Sequence, residues 1–218
     1  MTARLGRTYT HCPQASSRRA LRPGWQKVVL LAGESPRIRR RAHAASACRI
    51  VLVRPHYPEN VGAVARAMRV TGFSDLVLVA PGPLAAPSHE QARKMAVGAG
   101  VLLDAARVVP DLAEAMDGTA LVVGTSARSG LGGVLTPREA SRRVVQACRA
   151  GVRPTLMFGG ERTGLRKGEL ARCSCVVRIP MVANEPSLNL AQAAMVMLYE
   201  ILVTALEAGS AGGPDSSA

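Results

Sequence analysis

From residue 48 onward, short runs of aliphatic and β-branched residues alternate with stretches of helical periodicity, and this alternation narrows the fold more than any other feature. The runs are Arg49–Val53, Leu76–Val79, Val108-Val109, Leu121–Val123, Thr155–Phe158 and Cys175–Ile179. Between them, Asn60–Val70 places apolar residues at 61, 64, 65 and 68, the spacing of one helix face. Ser88–Val97 and Asp111–Met116 read as shorter helices, and Ser187–Leu206 as a long, largely apolar one. Thr136-Pro137-Arg138-Glu139 carries a cap, a first-turn proline and a third-position glutamate, so a helix starts there and runs to about Ala150. Strand runs that are apolar throughout are buried on both faces. The expected fold class is therefore α/β, a mainly parallel sheet with helices on both faces.

Charge divides the chain. It carries a net charge of +13, yet residues 1–47 hold ten Arg/Lys against the single acid Glu34. The remainder, with eighteen bases and fourteen acids, is only mildly basic. Three domains of behaviour are expected: a basic extension over 1–47, a folded domain over 48–208 and a flexible tail over 209–218. The extension fits a disordered arm, an RNA-binding arm or a transit peptide. No uncharged apolar run approaches the ~18 residues that span a bilayer, so no membrane segment is expected. The five cysteines match no disulfide or zinc framework and point to a reducing compartment, the cytoplasm. The four histidines form no metal-ligand pattern, and no metal is expected.

In a parallel sheet, ligands sit outside the C-terminal strand ends. Three loops leave such ends: Gly124–Gly133, Gly159–Lys167 and Pro180–Pro186. All are polar or glycine-containing and should converge. Pro58-Glu59-Asn60-Val61-Gly62-Ala63-Val64-Ala65-Arg66 opens a helix directly after a strand. There Asn60 is placed to cap, Gly62 and Ala63 permit a close approach, and Arg66 shares a face with Gly62. The same residues also fit a capped helix with a solvated arginine. Phe158-Gly159-Gly160-Glu161-Arg162-Thr163-Gly164-Leu165 lacks the glycine pattern and the Lys-Ser/Thr of phosphate loops, which disfavours ordinary nucleotide binding. Ser187 reads as the cap of the last helix, with Asn189 in its first turn among unpaired amides.

Taken together, these segments resemble the signature motifs of the SPOUT superfamily of RNA methyltransferases. The resemblance lies with the TrmH-like branch, above all the TrmJ-like tRNA ribose 2′-O-methyltransferases that act on the anticodon loop. It is carried by Arg49–Ala80, Val122–Arg128, Phe158–Leu165 and Ser187–Ala193, and it covers residues 48–206. It implies a C-terminal trefoil knot, S-adenosylmethionine as cofactor and a homodimer acting on RNA, with tRNA the foremost substrate and no membrane partner. Carried over by motif position, Thr125, Ser126, Ala127, Gly159, Ile179, Pro186, Ser187 and Leu188 line the cofactor site. Arg66 is the catalytic arginine, with Asn60, Glu161, Ser187 and Asn189 organising the site around it. Glu161 orients either Arg66 or a group of a neighbouring subunit.

Two positions depart from the group. Gly130 stands where relatives often carry an arginine, and so does Gly160. Several relatives also continue into a long C-terminal extension, whereas this sequence stops soon after its last helix, so a reduced docking surface is expected. Ribosomal RNA is the alternative substrate, and an RNA-binding paralogue with little catalysis is the alternative class.

Overall fold

In the computed structural model, which describes residues 46–182 and 187–210, the expected strands and helices follow in order. They are β1 (Arg49–Val53), α1 (Pro58–Thr71), β2 (Leu76–Val79), α2 (Glu90–Ala96), α3 (Gly100–Asp104), β3 (Arg107–Val109) and α4 (Leu112–Met116). Then come β4 (Leu121–Thr125), α5 (Pro137–Arg149), β5 (Pro154–Gly159), α6 (Lys167–Leu170), β6 (Cys175–Val177) and α7 (Leu190–Ser210). The extension over 1–47 and the tail from 209 fall almost wholly outside the described residues.

The sheet has strand order β3-β2-β1-β5-β4-β6, and every pairing between its strands is parallel. β1 lies at its centre, and all five of its residues are buried. Strand alternation splits them between two cores. Ile50 and Leu52 join Leu76, Leu78, Leu156 and Phe158 under α1, α2, α5 and α7. Val51 and Val53 join Val77, Val79 and Met157 on the face covered by α4 and α6. Each such side chain contributes roughly 1.5–3 kcal/mol by leaving water. Arg49, only 5 % exposed, locks the start of β1 to its surroundings. Its Nε donates to Asp75 at 2.9 Å, and its Nη1 donates to the carbonyls of Ala115 and Asp117, each at 2.8 Å.

Several local expectations are corrected. α3 and α6 are too short for their periodicity to be read from sequence. β6 ends at Val177, short of the expected Ile179, and its outer edge is met by Leu135: Leu135 N donates to Val176 O, and Arg178 N donates to Leu135 O. Asn60 does not cap α1. That helix starts after Tyr57 with Pro58 at its first position, and Asn60 is its third residue, inside the first turn. Ser187 does not cap α7. The cap is Asn189, whose Oδ1 accepts from Ala191 N at 2.8 Å and Gln192 N at 3.4 Å. The close approach at Gly62 is made by helix α2, not by a ligand: a Cβ there would stand 2.0 Å from the carbonyl oxygen of Ala92.

Leu190–Gly209 is long and apolar enough to cross a membrane, which corrects the expectation drawn from uncharged runs alone. Glu200 interrupts the run and accepts from Nε of Arg138 on α5 at 2.5 Å. Ala194, Met197, Leu198, Ile201 and Ala205 are buried, and the helix packs between α1 and α5.

Candidate active site

The loops after β4, β5 and β6 converge, as their strand-end positions require. They enclose a cavity of about 320 Å³ with the residues just before α7. Thr125, Ser126, Ala127, Gly159, Ile179, Ser187 and Leu188, all expected at a cofactor site, line it. Pro186 lies outside the described residues. The sequence reading missed Arg128, Arg162, Leu165, Val177, Met181 and Ala193, which also line it. Arg128, Arg162, Leu165 and Met181 belong to the same three loops, which was the available clue, whereas Val177 lies in β6 and Ala193 in α7.

Hydrogen bonds fix the loops against one another. Ser126 N donates to Val177 O at 2.9 Å, joining the first loop to β6. Thr125 Oγ1 donates to Met157 O at 3.1 Å. Arg128 Nη2 donates to Thr163 O at 3.2 Å, tying the first loop to the second. The paired glycines of the second loop are there for backbone contact. A Cβ on Gly159 would stand 2.0 Å from the carbonyl carbon of Gly164, and one on Gly160 would stand 2.0 Å from the carbonyl oxygen of Arg54.

At the mouth, three polar side chains from distant parts of the chain form one connected set. Asn60 Nδ2 donates to Glu161 Oε1 at 2.6 Å, and Asn189 Nδ2 donates to Asn60 Oδ1 at 2.9 Å. Glu161 also accepts from His56 N at 2.8 Å and Tyr57 N at 3.4 Å. Its carboxylate therefore meets the amides ahead of α1, near the positive end of that helix. Of the two roles left open for Glu161, orienting Arg66 within this chain is not what the structure holds. Arg66 is exposed on α1, does not line the cavity, and makes no hydrogen bond or ion pair among the described residues.

Burial pushes the Cys173 thiol up to about 11, and the Cys175 and Glu169 charges act in the same direction. Among the described residues, no group of three or more His, Cys, Asp or Glu side chains could hold a metal ion. The cavity is thus lined by hydroxyls, backbone and apolar side chains, with arginines at its rim.

Residues 47–199 match the SpoU rRNA Methylase family. The chain belongs to that family. A relative from Pseudomonas aeruginosa, the tRNA (cytidine/uridine/adenosine-2'-O-)-methyltransferase TrmJ, is 43% identical over 162 residues. Those residues make up 73% of this chain but 62% of the relative, so the chain spans about three-fifths of that protein's length. Among solved structures, a probable methyltransferase from Bordetella pertussis superposes with a TM-score of 0.71 at 30% identity. It covers 75% of this chain and 99% of its own. TrmJ from Z. mobilis superposes with a TM-score of 0.64 at 37% identity, covering 71% and 67%. The matched span of this SpoU-family chain includes all three loops and both asparagines of the connected set.

Proposed function

We propose that the protein is an S-adenosylmethionine-dependent ribose 2′-O-methyltransferase acting on the anticodon loop of tRNA. The observation that carries this reading is the convergence of the three strand-end loops on one cavity with the Asn60–Glu161–Asn189 set at its mouth. The tRNA methyltransferases among its relatives and the TrmJ-like motifs support the substrate. Cytoplasmic location and a homodimer belong to the same proposal.

The cavity suits the cofactor. Its volume falls in the range of small-molecule sites. Ile179, Leu188 and Leu165 supply apolar walls for an uncharged base, while Thr125 and Ser126 supply hydroxyls near a strand end. When bound, S-adenosylmethionine supplies an electrophilic methyl group on a sulfonium. The chain's own residues must then deliver a ribose oxygen. A 2′-hydroxyl is a very weak acid and a poor nucleophile. The Arg66 guanidinium stabilises negative charge developing on that oxygen. The Asn60–Glu161–Asn189 set fixes the first turn of α1, and with it the direction from which Arg66 projects.

Arg66 lies outside the cavity of its own chain, which fits a dimer in which each copy's arginine serves the other's cavity. α7 offers a surface for such pairing. Met195 and Tyr199, one turn apart, are large apolar side chains that are 39 % and 47 % exposed on this helix. The trefoil knot is part of the proposal as well. It is supported by β6 lying beyond β4 at the sheet edge while α7 returns to pack against α1.

The test is mass-spectrometric mapping of ribose methylation in tRNA and ribosomal RNA from a deletion strain, with the purified full chain added back. The expected result is loss and restoration of a methyl group in the anticodon loop. A methyl group lost from ribosomal RNA instead would move the substrate, and no change in either RNA would end the reading.

A further inference from the structure

A second cavity, of about 330 Å³, opens at the C-terminal ends of β1 and β2, on the face covered by α4 and α6. Five charged side chains line it: Arg54, Asp111, Arg166, Glu169 and Arg172. Both acids are engaged within the fold. Asp111 Oδ1 accepts from Glu114 N at 3.0 Å and caps α4. Glu169 accepts from Arg54 Nη2 at 3.0 Å, pairs with its Nη1, and accepts from Arg166 N at 2.6 Å. Arg54, in the left-handed region at φ 52, also donates to Gly164 O at 3.3 Å.

Two guanidiniums are left over. Arg166 and Arg172 are exposed and make no side-chain hydrogen bond or ion pair among the described residues. Arg166 occupies the cap position of α6, where an oxygen-bearing side chain accepts helix amides. A guanidinium accepts nothing, and no side-chain cap bond forms. Its charge lies near Glu169, but that carboxylate is already paired with Arg54, so the guanidinium fork of Arg166 keeps its donors for another group. With Lys167 exposed beside it, the cleft is an excess of cation around a concave surface.

We infer that this cleft is a second RNA contact, in which Arg166 and Arg172 hold a phosphodiester of the strand leading away from the methylated ribose. The planar fork of a guanidinium matches two phosphate oxygens at once. The position is continuous with the main cavity. Gly164 lines that cavity and is bonded by Arg54, which lines the cleft. Arg162 at the cavity rim, Arg166 and Arg172 follow one another along a single loop and helix. The inference rests on the RNA methyltransferase reading above.

The test uses the full chain and the double variant Arg166→Thr/Arg172→Gln, with a fluorescent tRNA transcript titrated over a salt series. Thr at the cap can accept an amide and so offset the lost Arg166 charge near Glu169, and the variant is expected to fold, checked by thermal melting. Losing two phosphate contacts lowers the slope of log affinity against log salt by about two, and affinity near physiological salt by about tenfold. In steady-state methylation, KM for tRNA rises, while kcat and S-adenosylmethionine affinity stay as in the wild type. An unchanged salt slope, or an unchanged KM for tRNA, overturns the inference while leaving the methyltransferase reading intact. A wild-type chain that neither binds nor methylates tRNA overturns both.

Discussion

Asn189 donates its Nδ2 to Asn60 Oδ1 at 2.9 Å, joining the residue ahead of α7 to the first turn of α1 across 129 positions of sequence. The polarity of this contact is set elsewhere. A carboxylate only accepts, so Glu161 obliges Asn60 to present its NH2 to it. The Asn60 carbonyl is then left to receive Asn189. One charge thereby orients two amides and holds the cofactor-side loop, α1 and α7 in a single arrangement.

Glu161→Gln keeps the shape and removes that polarity. A glutamine amide must turn a donor toward either Asn60 Nδ2 and the Tyr57 N–H, which share one carboxylate oxygen, or the His56 N–H at the other. The buried or half-buried groups left without a partner cost about 1–3 kcal/mol. Denaturant midpoints should fall accordingly, and methyl transfer should drop at least about tenfold because α1 no longer holds one orientation. A variant with wild-type stability and turnover would show the set to be incidental.

Gly160→Ala tests the backbone packing at the same loop. The added Cβ meets the Arg54 carbonyl oxygen at 2.0 Å, and that oxygen belongs to backbone held by β1. Overpacking of this kind costs about 1–3 kcal/mol. The melting temperature should fall by several degrees for a chain of this size. An unchanged melting temperature would mean that the loop has room to move off β1.

Glu169 gives the acid side of the stability profile a defined contribution. Burial raises its carboxyl, but the Arg54 hydrogen bond, the Arg166 amide and the two nearby guanidinium charges outweigh it, so the folded value lies below the ordinary 4.5. A depressed carboxylate contributes stability that is present above its unfolded value and lost as pH falls through its folded value. Arg54→Gln should therefore lower urea midpoints near pH 7 and shrink the further loss seen between about pH 5 and pH 3. Parallel pH profiles for the two proteins would remove the pair from the balance.

The sheet was legible because β1, β2 and β5 are buried on both faces, so Arg49 and Thr155, at or near their starts, are the only polar side chains in these three runs. The convergence of the cofactor loops followed from the same reading, since parallel strands send all their C-terminal ends to one edge. Asn60, Asn189 and Ser187 were harder. An Asn or Ser near a helix start reads as a cap, and only the position of Glu161, 101 residues from Asn60, decides that Asn60 faces inward. At Gly62 the close approach read from the sequence is there, made by Ala92 of α2, but the sequence does not say what approaches. Arg54 and Arg166 carried no local pattern at all, since their meaning comes from Glu169 and from the cleft they share.

Arg66 separates chemistry from binding and folding. It is exposed, and no hydrogen bond or ion pair among the described residues depends on it. Arg66→Ala should therefore move stability by no more than about 0.5 kcal/mol. The cavity is lined by later parts of the chain, so calorimetric affinity for S-adenosylmethionine should stay near wild type. If the guanidinium stabilises charge on the ribose oxygen, its loss should cost at least about 10²-fold in turnover, comparable to losing an oxyanion donor. Arg66→Lys should recover little, because a point charge on a flexible stem does not reproduce the planar fork. Mixed dimers sharpen the assignment. One copy carries Arg66→Ala and the other a cavity substitution that blocks cofactor binding. If each arginine serves the partner's cavity, one intact site remains when the two defects sit on different copies, and none remains when one copy carries both. Single-turnover methylation on the two mixtures distinguishes these cases. Near-wild-type turnover in Arg66→Ala alone would remove the residue from the mechanism and leave a solvated helix arginine.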